Sequence, residues 1–156
     1  MNDIPIPSSN LSLLKNWIVC LSVVKFDLDE GQIIESIFPS DSLTQKEQKL
    51  LSLLSFPDSN SLSSAEGTLT YAIRLKRERN IKDAIPGALF SFGYVYFLQK
   101  RDEKISRGYF QKSIVLVSNY PLVDFFFGII QSIGSMYFKN EDKAYIEVRI
   151  NINFYV

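Results

Sequence analysis

Three stretches of this sequence are apolar on both of their alternating sides, and that restricts the fold more than any other feature. WIVCLSVVKF (17–26), LFSFGYVYFLQK (89–100) and YFQKSIVLVS (109–118) carry β-branched and aromatic residues at odd and even positions alike. A strand can hide both faces only inside a sheet that other elements cover above and below. In 89–100, Phe90, Phe92, Tyr94 and Tyr96 fall on one side and Val95 and Phe97 on the other. This strand is expected to be central.

The remaining elements fit around such a sheet. QIIESIFP (32–39) reads as a strand, with Ile33, Glu35 and Ile37 on one side, Ile34, Ser36 and Phe38 on the other, and Pro39 ending its pairing. It follows 17–26 across DLDEG (27–31), a turn in which aspartate side chains bond nearby amides and Gly31 serves a positive-φ position. TLTYAIRLK (68–76) alternates strictly, with Leu69, Tyr71, Ile73 and Leu75 inward and Thr70, Ala72, Arg74 and Lys76 outward, the pattern of an edge or half-covered strand. Residues 101–108 connect the last two strands as a hairpin.

Two helices are expected. TQKE (44–47) is a capping box, and Leu50, Leu51, Leu53 and Leu54 form the apolar stripe behind it, with Lys46, Gln48 and Lys49 in water and Pro57 closing the element. This helix is read as the crossover between two sheet halves. From Pro121 to Lys139, Leu122, Phe125, Phe126, Ile129, Ile130, Ile133 and Tyr137 recur every three or four residues. Pro121 suits the first turn, and Gly128 and Gly134 suit a helix lying close against a sheet. The order is β-β-α-β-β-β-α: an α/β (α+β) fold, a five-stranded, mostly antiparallel sheet with helices on both faces. Residues 1–16 read as a polar leader, 17–140 as the folded domain, and 141–156 as a tail. In that tail Ile146, Val148, Ile150, Ile152 and Phe154 alternate with polar residues as in a strand.

The chemistry available is sparse. The chain has 156 residues and no histidine, which removes the usual neutral-pH base and most zinc sites. Its single cysteine, Cys20, lies in an apolar run and reads as a reduced, buried thiol. Asp27, Asp29 and Glu30 lack the remaining ligands of a calcium loop, and no glycine-rich phosphate cradle is present. Seventeen basic and seventeen acidic side chains cancel, so no bulk attraction to nucleic acid is expected. The basic residues cluster locally, as Arg74, Lys76, Arg77, Arg79 and Lys82, and as Lys100, Arg101, Lys104 and Arg107. These read as solvated loops or as a docking surface for an acidic partner or phospholipid headgroups. No stretch approaches the roughly 20 apolar residues of a membrane span, and the amino end lacks the order of a secretory signal. A cytosolic or membrane-peripheral protein that acts by binding another protein is the reading these absences leave, with no catalytic residue, metal or cofactor.

Long stretches of the chain are similar to one family. FDLDEGQIIESIFP (26–39), LTQKEQKLLSLLSFPDSNS (43–61), FGYVYFLQKRDEKISRGYFQKSIVLVS (92–118), YPLVDFFFGIIQSI (120–133) and YFKNE (137–141) resemble the N-terminal longin-like module, the upstream DENN region, of DENN-domain proteins, in their subfamily 6 branch. The resemblance implies a longin fold, with a five-stranded, antiparallel-rich sheet flanked by helices, and a helix after the YFKNE-like segment where the alternation at 146–154 suggests a strand. It implies guanine-nucleotide exchange on Rab GTPases and endosomal recycling traffic for the full-length proteins. Such exchange works by differential binding of the nucleotide-free GTPase and requires no catalytic residue. The partners implied are a Rab-family small GTPase and a DENN lobe, with the basic loops as a peripheral membrane contact. The rival reading is a stand-alone longin-type adaptor in a trafficking complex. Exposure and position within the matched motifs select Gln45, Lys46, Gln48, Lys49, Phe56, Pro57, Asp58, Arg101, Asp102 and Arg107 as candidate partner contacts.

Overall fold

The computed structural model describes residues 17–57, 66–78 and 89–139. The leader at 1–16, Asp58, the stretch 79–88 and the tail at 141–156 lie outside them. Seven elements follow in the expected order: β1 (Ile18–Asp27), β2 (Gly31–Phe38), α1 (Gln45–Leu54), β3 (Gly67–Lys76), β4 (Phe90–Arg101), β5 (Tyr109–Ser118) and α2 (Val123–Lys139). The five strands form one antiparallel sheet in the order β2-β1-β5-β4-β3. Helix α1 therefore carries the chain from one edge of the sheet to the other. Strand β4 is internal, as its two-sided pattern requires, although the middle position belongs to β5.

Each face of the sheet has its own core. On the α1 side, Cys20, Val24, Val95, Phe97, Val115 and Val117 pack with Leu43, Leu51 and Leu75. On the α2 side, Leu21, Tyr94, Ile114 and Leu116 pack with Phe126 and Ile130. Tyr94 and Phe97, of opposite parity along β4, are both fully buried, on opposite faces.

The β1–β2 turn forms as its sequence dictates. Asp27 Oδ1 accepts the amides of Asp29 and Glu30 at 2.9 and 3.1 Å, and Gly31 takes φ 80°. Those two amide bonds hold the Asp27 carboxyl below the usual aspartate range. Because the folded value is depressed, the stabilisation is complete above the unfolded value of about 3.9 and is lost as pH falls through the folded one. A carboxyl titration followed by NMR is expected to place the Asp27 midpoint below that of an unfolded aspartate, and Asp27→Ala is expected to remove this part of the acid sensitivity. A midpoint at the unfolded value would mean the turn does not hold in solution.

Four sequence expectations are corrected. Strand β2 does not alternate through its length: Val23 faces Ser36 while Val24 faces Ile34, which leaves Glu35 in a bulge. The bulge shifts the pleat, so Ile34 and Ile37 both pack toward α1. It also frees Glu35 to meet Lys112 of β5 at 2.5 Å. In α1, Leu53 is 52% exposed and Glu47 is 1% exposed. The inward line is Leu43, Glu47, Leu51 and Ser55, one residue every four, and it places an acid where the leucine stripe predicts an apolar residue. Leu69, predicted inward, is 39% exposed on the edge strand β3. Helix α2 begins at Val123, and its first helical bond runs from the Phe126 amide to the Leu122 carbonyl, so Pro121 precedes the helix. The chain is held there instead by Ser118, whose Oγ accepts the Tyr120 amide (3.1 Å) and donates to the Trp17 carbonyl (2.7 Å).

Candidate functional site

Helix α1 is fastened at both ends, and this fixes what it presents outward. At its start the capping box is complete: Thr44 Oγ1 accepts the Glu47 amide (3.3 Å) and the Glu47 carboxylate accepts the Thr44 amide (2.9 Å). Glu47 also accepts the Glu78 amide at 3.0 Å and lies 3.2 Å from the Arg77 guanidinium. Arg77 is itself buried and reaches the Ser42 carbonyl at 3.4 Å. The basic cluster at 74–82 thus loses one member to an internal ion pair. Nearby, the Thr44 hydroxyl and Lys46 hold the exposed Glu78 carboxyl low.

At the other end of α1, carbonyls without helical partners are taken up by the sheet. Tyr71 Oη donates to the Leu54 carbonyl (3.2 Å) and Ser113 Oγ to that of Ser55 (2.5 Å). Burial pushes the Tyr71 phenol upward. Satisfied termini leave no slack in a helix this short.

Gln45 and Lys49 are exposed, and Leu53, four residues further on, continues the same line. Lys46 is exposed and meets Glu78 at 3.3 Å, an ion pair in water that contributes little. Gln48 is half-buried and donates back to the Leu43 carbonyl at 3.0 Å. Phe56 is also half-buried: its ring meets Phe97 edge-on at 5.4 Å and Phe26 at 6.3 Å. Pro57 beside it is half-buried.

In the β4–β5 loop, the Asp102 carboxylate accepts the Lys104 amide (2.9 Å), and the Asp102 amide donates to the Gly108 carbonyl (2.9 Å). The Arg101 amide donates to Glu66 at 2.7 Å. Arg107 lies with its guanidinium 3.8 Å over the Phe26 ring. Phe26 therefore joins Phe56, at the end of α1, to Arg107, from the hairpin loop, at one end of the sheet.

The candidate residues divide accordingly. Phe56 and Arg107 converge on Phe26, with Pro57 beside Phe56. Gln45, Lys46, Gln48 and Lys49 occupy the far half of a helix about 15 Å long, and the exposed Leu53 lies between the two groups. Phe26 and the exposed Leu53 belong to this candidate surface and are not among the contacts selected from sequence. The bond between Phe26 and Arg107 is made across the sheet, and no local pattern encodes it. Cys20 is buried, and burial pushes its thiol up to about 12. No helix among the described residues is long and apolar enough to cross a membrane.

The capped helix and the two-loop end of the α+β sheet together make up the candidate site. Residues 18–155 match the family described as Transport protein Avl9, and the chain belongs to that family. It is 38% identical over 151 residues to Protein DENND6A of Mus musculus, covering 86% of this chain and 25% of that protein. It is 37% identical to Protein DENND6B of Homo sapiens over 149 residues (85% and 25%) and 37% identical to the Protein DENND6 homolog of Dictyostelium discoideum over 140 residues (88% and 19%). The chain thus spans a fifth to a quarter of the length of these relatives.

Proposed function

We propose that this chain is the N-terminal, longin-like protein-binding module of a Rab guanine-nucleotide exchange factor. It contacts the GTPase and helps to seat a DENN lobe, at peripheral cytoplasmic sites on recycling endosomes. The observation that carries the reading is the outward line Gln45, Lys49 and Leu53 on a helix fixed at both ends, continuing to Phe56, Pro57 and Arg107. Apolar side chains bordered by lysine and arginine suit a partner surface of mixed apolar and acidic character. Similarity to proteins named DENND6 supports the assignment to a DENN-related protein. Exchange requires only tighter binding of the nucleotide-free GTPase than of the loaded one, which a surface without catalytic groups supplies. The acidic turn Asp27, Asp29 and Glu30 follows directly on Phe26, beneath Arg107, and favours a protein over anionic lipid at this end.

The test is to titrate the chain with a panel of nucleotide-free Rab proteins for binding and, on the same proteins loaded with a fluorescent guanine nucleotide, to follow its release. Binding that weakens at least tenfold on Leu53→Asp or Arg107→Glu is the expected result. No binding across the panel would remove the GTPase from the reading. Recovery of a stable partner indifferent to nucleotide state would favour the adaptor alternative.

A further inference from the structure

Trp17 stands where the chain enters the sheet, and it is anchored there from two directions. Its carbonyl accepts the Ser118 hydroxyl (2.7 Å) and the Asn119 amide (2.9 Å) at the end of β5. Its ring tilts against Tyr120 at 5.4 Å and meets Phe125 edge-on at 6.3 Å. Trp17 is nevertheless only half-buried, and Phe125 and Leu122, at the start of α2, are 50% and 40% exposed. Leu122, Phe125 and Ile129 follow at intervals of three and four residues along one flank of the helix, the flank turned toward Trp17. Trp17 and this flank make an apolar corner at the end of the α2-side core, with the exposed Asp124 at its outer border.

The segment joined to this corner has matching chemistry. Residues 4–14 carry no charge, and Leu11, Leu13 and Leu14 come just before Trp17. Leu11, Leu14 and Trp17 stand three residues apart, a spacing that lets all three share one side of a helical turn. Three residues of chain span about 11 Å at most, so Leu14 cannot lie farther than that from the Trp17 backbone. A segment tethered so closely acts as if present at about millimolar concentration, which a free partner must exceed. Lys15 is the one charge between Asp3 and Trp17, and Asp124 is the one acid of α2, so the charges at the border are opposite.

We infer that Leu11 and Leu14 of the leader occupy the corner between Trp17 and the Leu122–Phe125 flank, and so close the open end of the α2-side core. The occupant is a segment of this same chain. The seat is independent of the proposed GTPase contact, which lies with α1 on the other face of the sheet.

Trp17 is the only tryptophan of the chain, so tryptophan emission reads this corner alone. In the full chain, Leu11→Ser combined with Leu14→Ser is expected to shift that emission to the red. Quenching by acrylamide is expected to rise severalfold, at unchanged far-UV circular dichroism. Leu122→Ser, which opens the corner from the other side, is expected to do the same. The leader substitutions are then expected to add nothing in the Leu122→Ser background, because one contact cannot be lost twice. Emission and quenching unchanged by the leader substitutions would overturn the inference, and so would fully additive effects. If the serine variants do not fold, Leu14→Ala and Leu122→Ala, read singly and together, decide by the same criterion. Quenching of the parent chain that rises on dilution would give the corner to a second copy, and would also overturn it.

Discussion

Replacing Arg77 with methionine is expected to cost about 3–5 kcal/mol of unfolding free energy, a large part of the 5–15 kcal/mol that stabilises an ordinary domain. The reason is what stays behind. Glu47 is 1% exposed, and its carboxylate lies 3.2 Å from the guanidinium while accepting the amides of Thr44 and Glu78. Without Arg77 the carboxylate keeps two amides and loses its counter-charge in a place water does not reach. Glu47→Gln combined with Arg77→Met leaves a neutral acceptor there and is expected to be less destabilised than Arg77→Met alone. That inversion of the usual additivity is the signature of a buried pair. Chemical denaturation of the parent, both single variants and the double variant measures it. A single-variant loss below about 1 kcal/mol would show that solvent screens the pair and that it does not hold α1 in place.

This pair also marks where sequence reading fails. Glu47 is the fourth member of a capping box, and that role was legible because it needs only Thr44 three residues before. Its second role needs Arg77, thirty residues away in the chain and on the opposite edge of the sheet from the strand preceding α1. Arg77 looks like one basic residue among five, and only the fold takes it out of water. Arg107 repeats the lesson with the opposite outcome: it stays exposed, yet it is anchored on Phe26 by a contact that a local window cannot contain.

The period-two pattern was legible in β4, where the pleat runs unbroken and Tyr94 and Phe97 lie in the two separate cores. It failed where a bulge inserts one residue. Ile34 and Ile37 share a face because Glu35 stands outside the ladder, and the spacing of three has no meaning in a flat strand. On α1, exposure of Gln45 and Lys49 follows from helical spacing, whereas a leucine run does not announce that Leu53 faces water. The candidate surface was thus half legible. The helix could be read from the chain, and the aromatic junction at its end could not.

The second large effect separates two neighbouring phenylalanines. Phe126→Ala is expected to cost about 3–5 kcal/mol, and Phe125→Ala about 1 kcal/mol or less. Phe126 is fully buried and stacks on Tyr94 at 4.9 Å, while Phe125 is half exposed and touches Trp17 only edge-on at 6.3 Å. Tyr94 Oη donates to the Tyr120 carbonyl at 2.8 Å, so the ring that Phe126 covers also fixes the entry of the chain into α2. Removing Phe126 opens a cavity beside that bond. Tyr94→Phe is then expected to add less in the Phe126→Ala background than in the parent, because the two side chains share one packing unit. Urea midpoints at unchanged slope read all three effects. One residue along a helix is a rotation of about 100°, so equal losses at 125 and 126 would mean that α2 is turned about its axis.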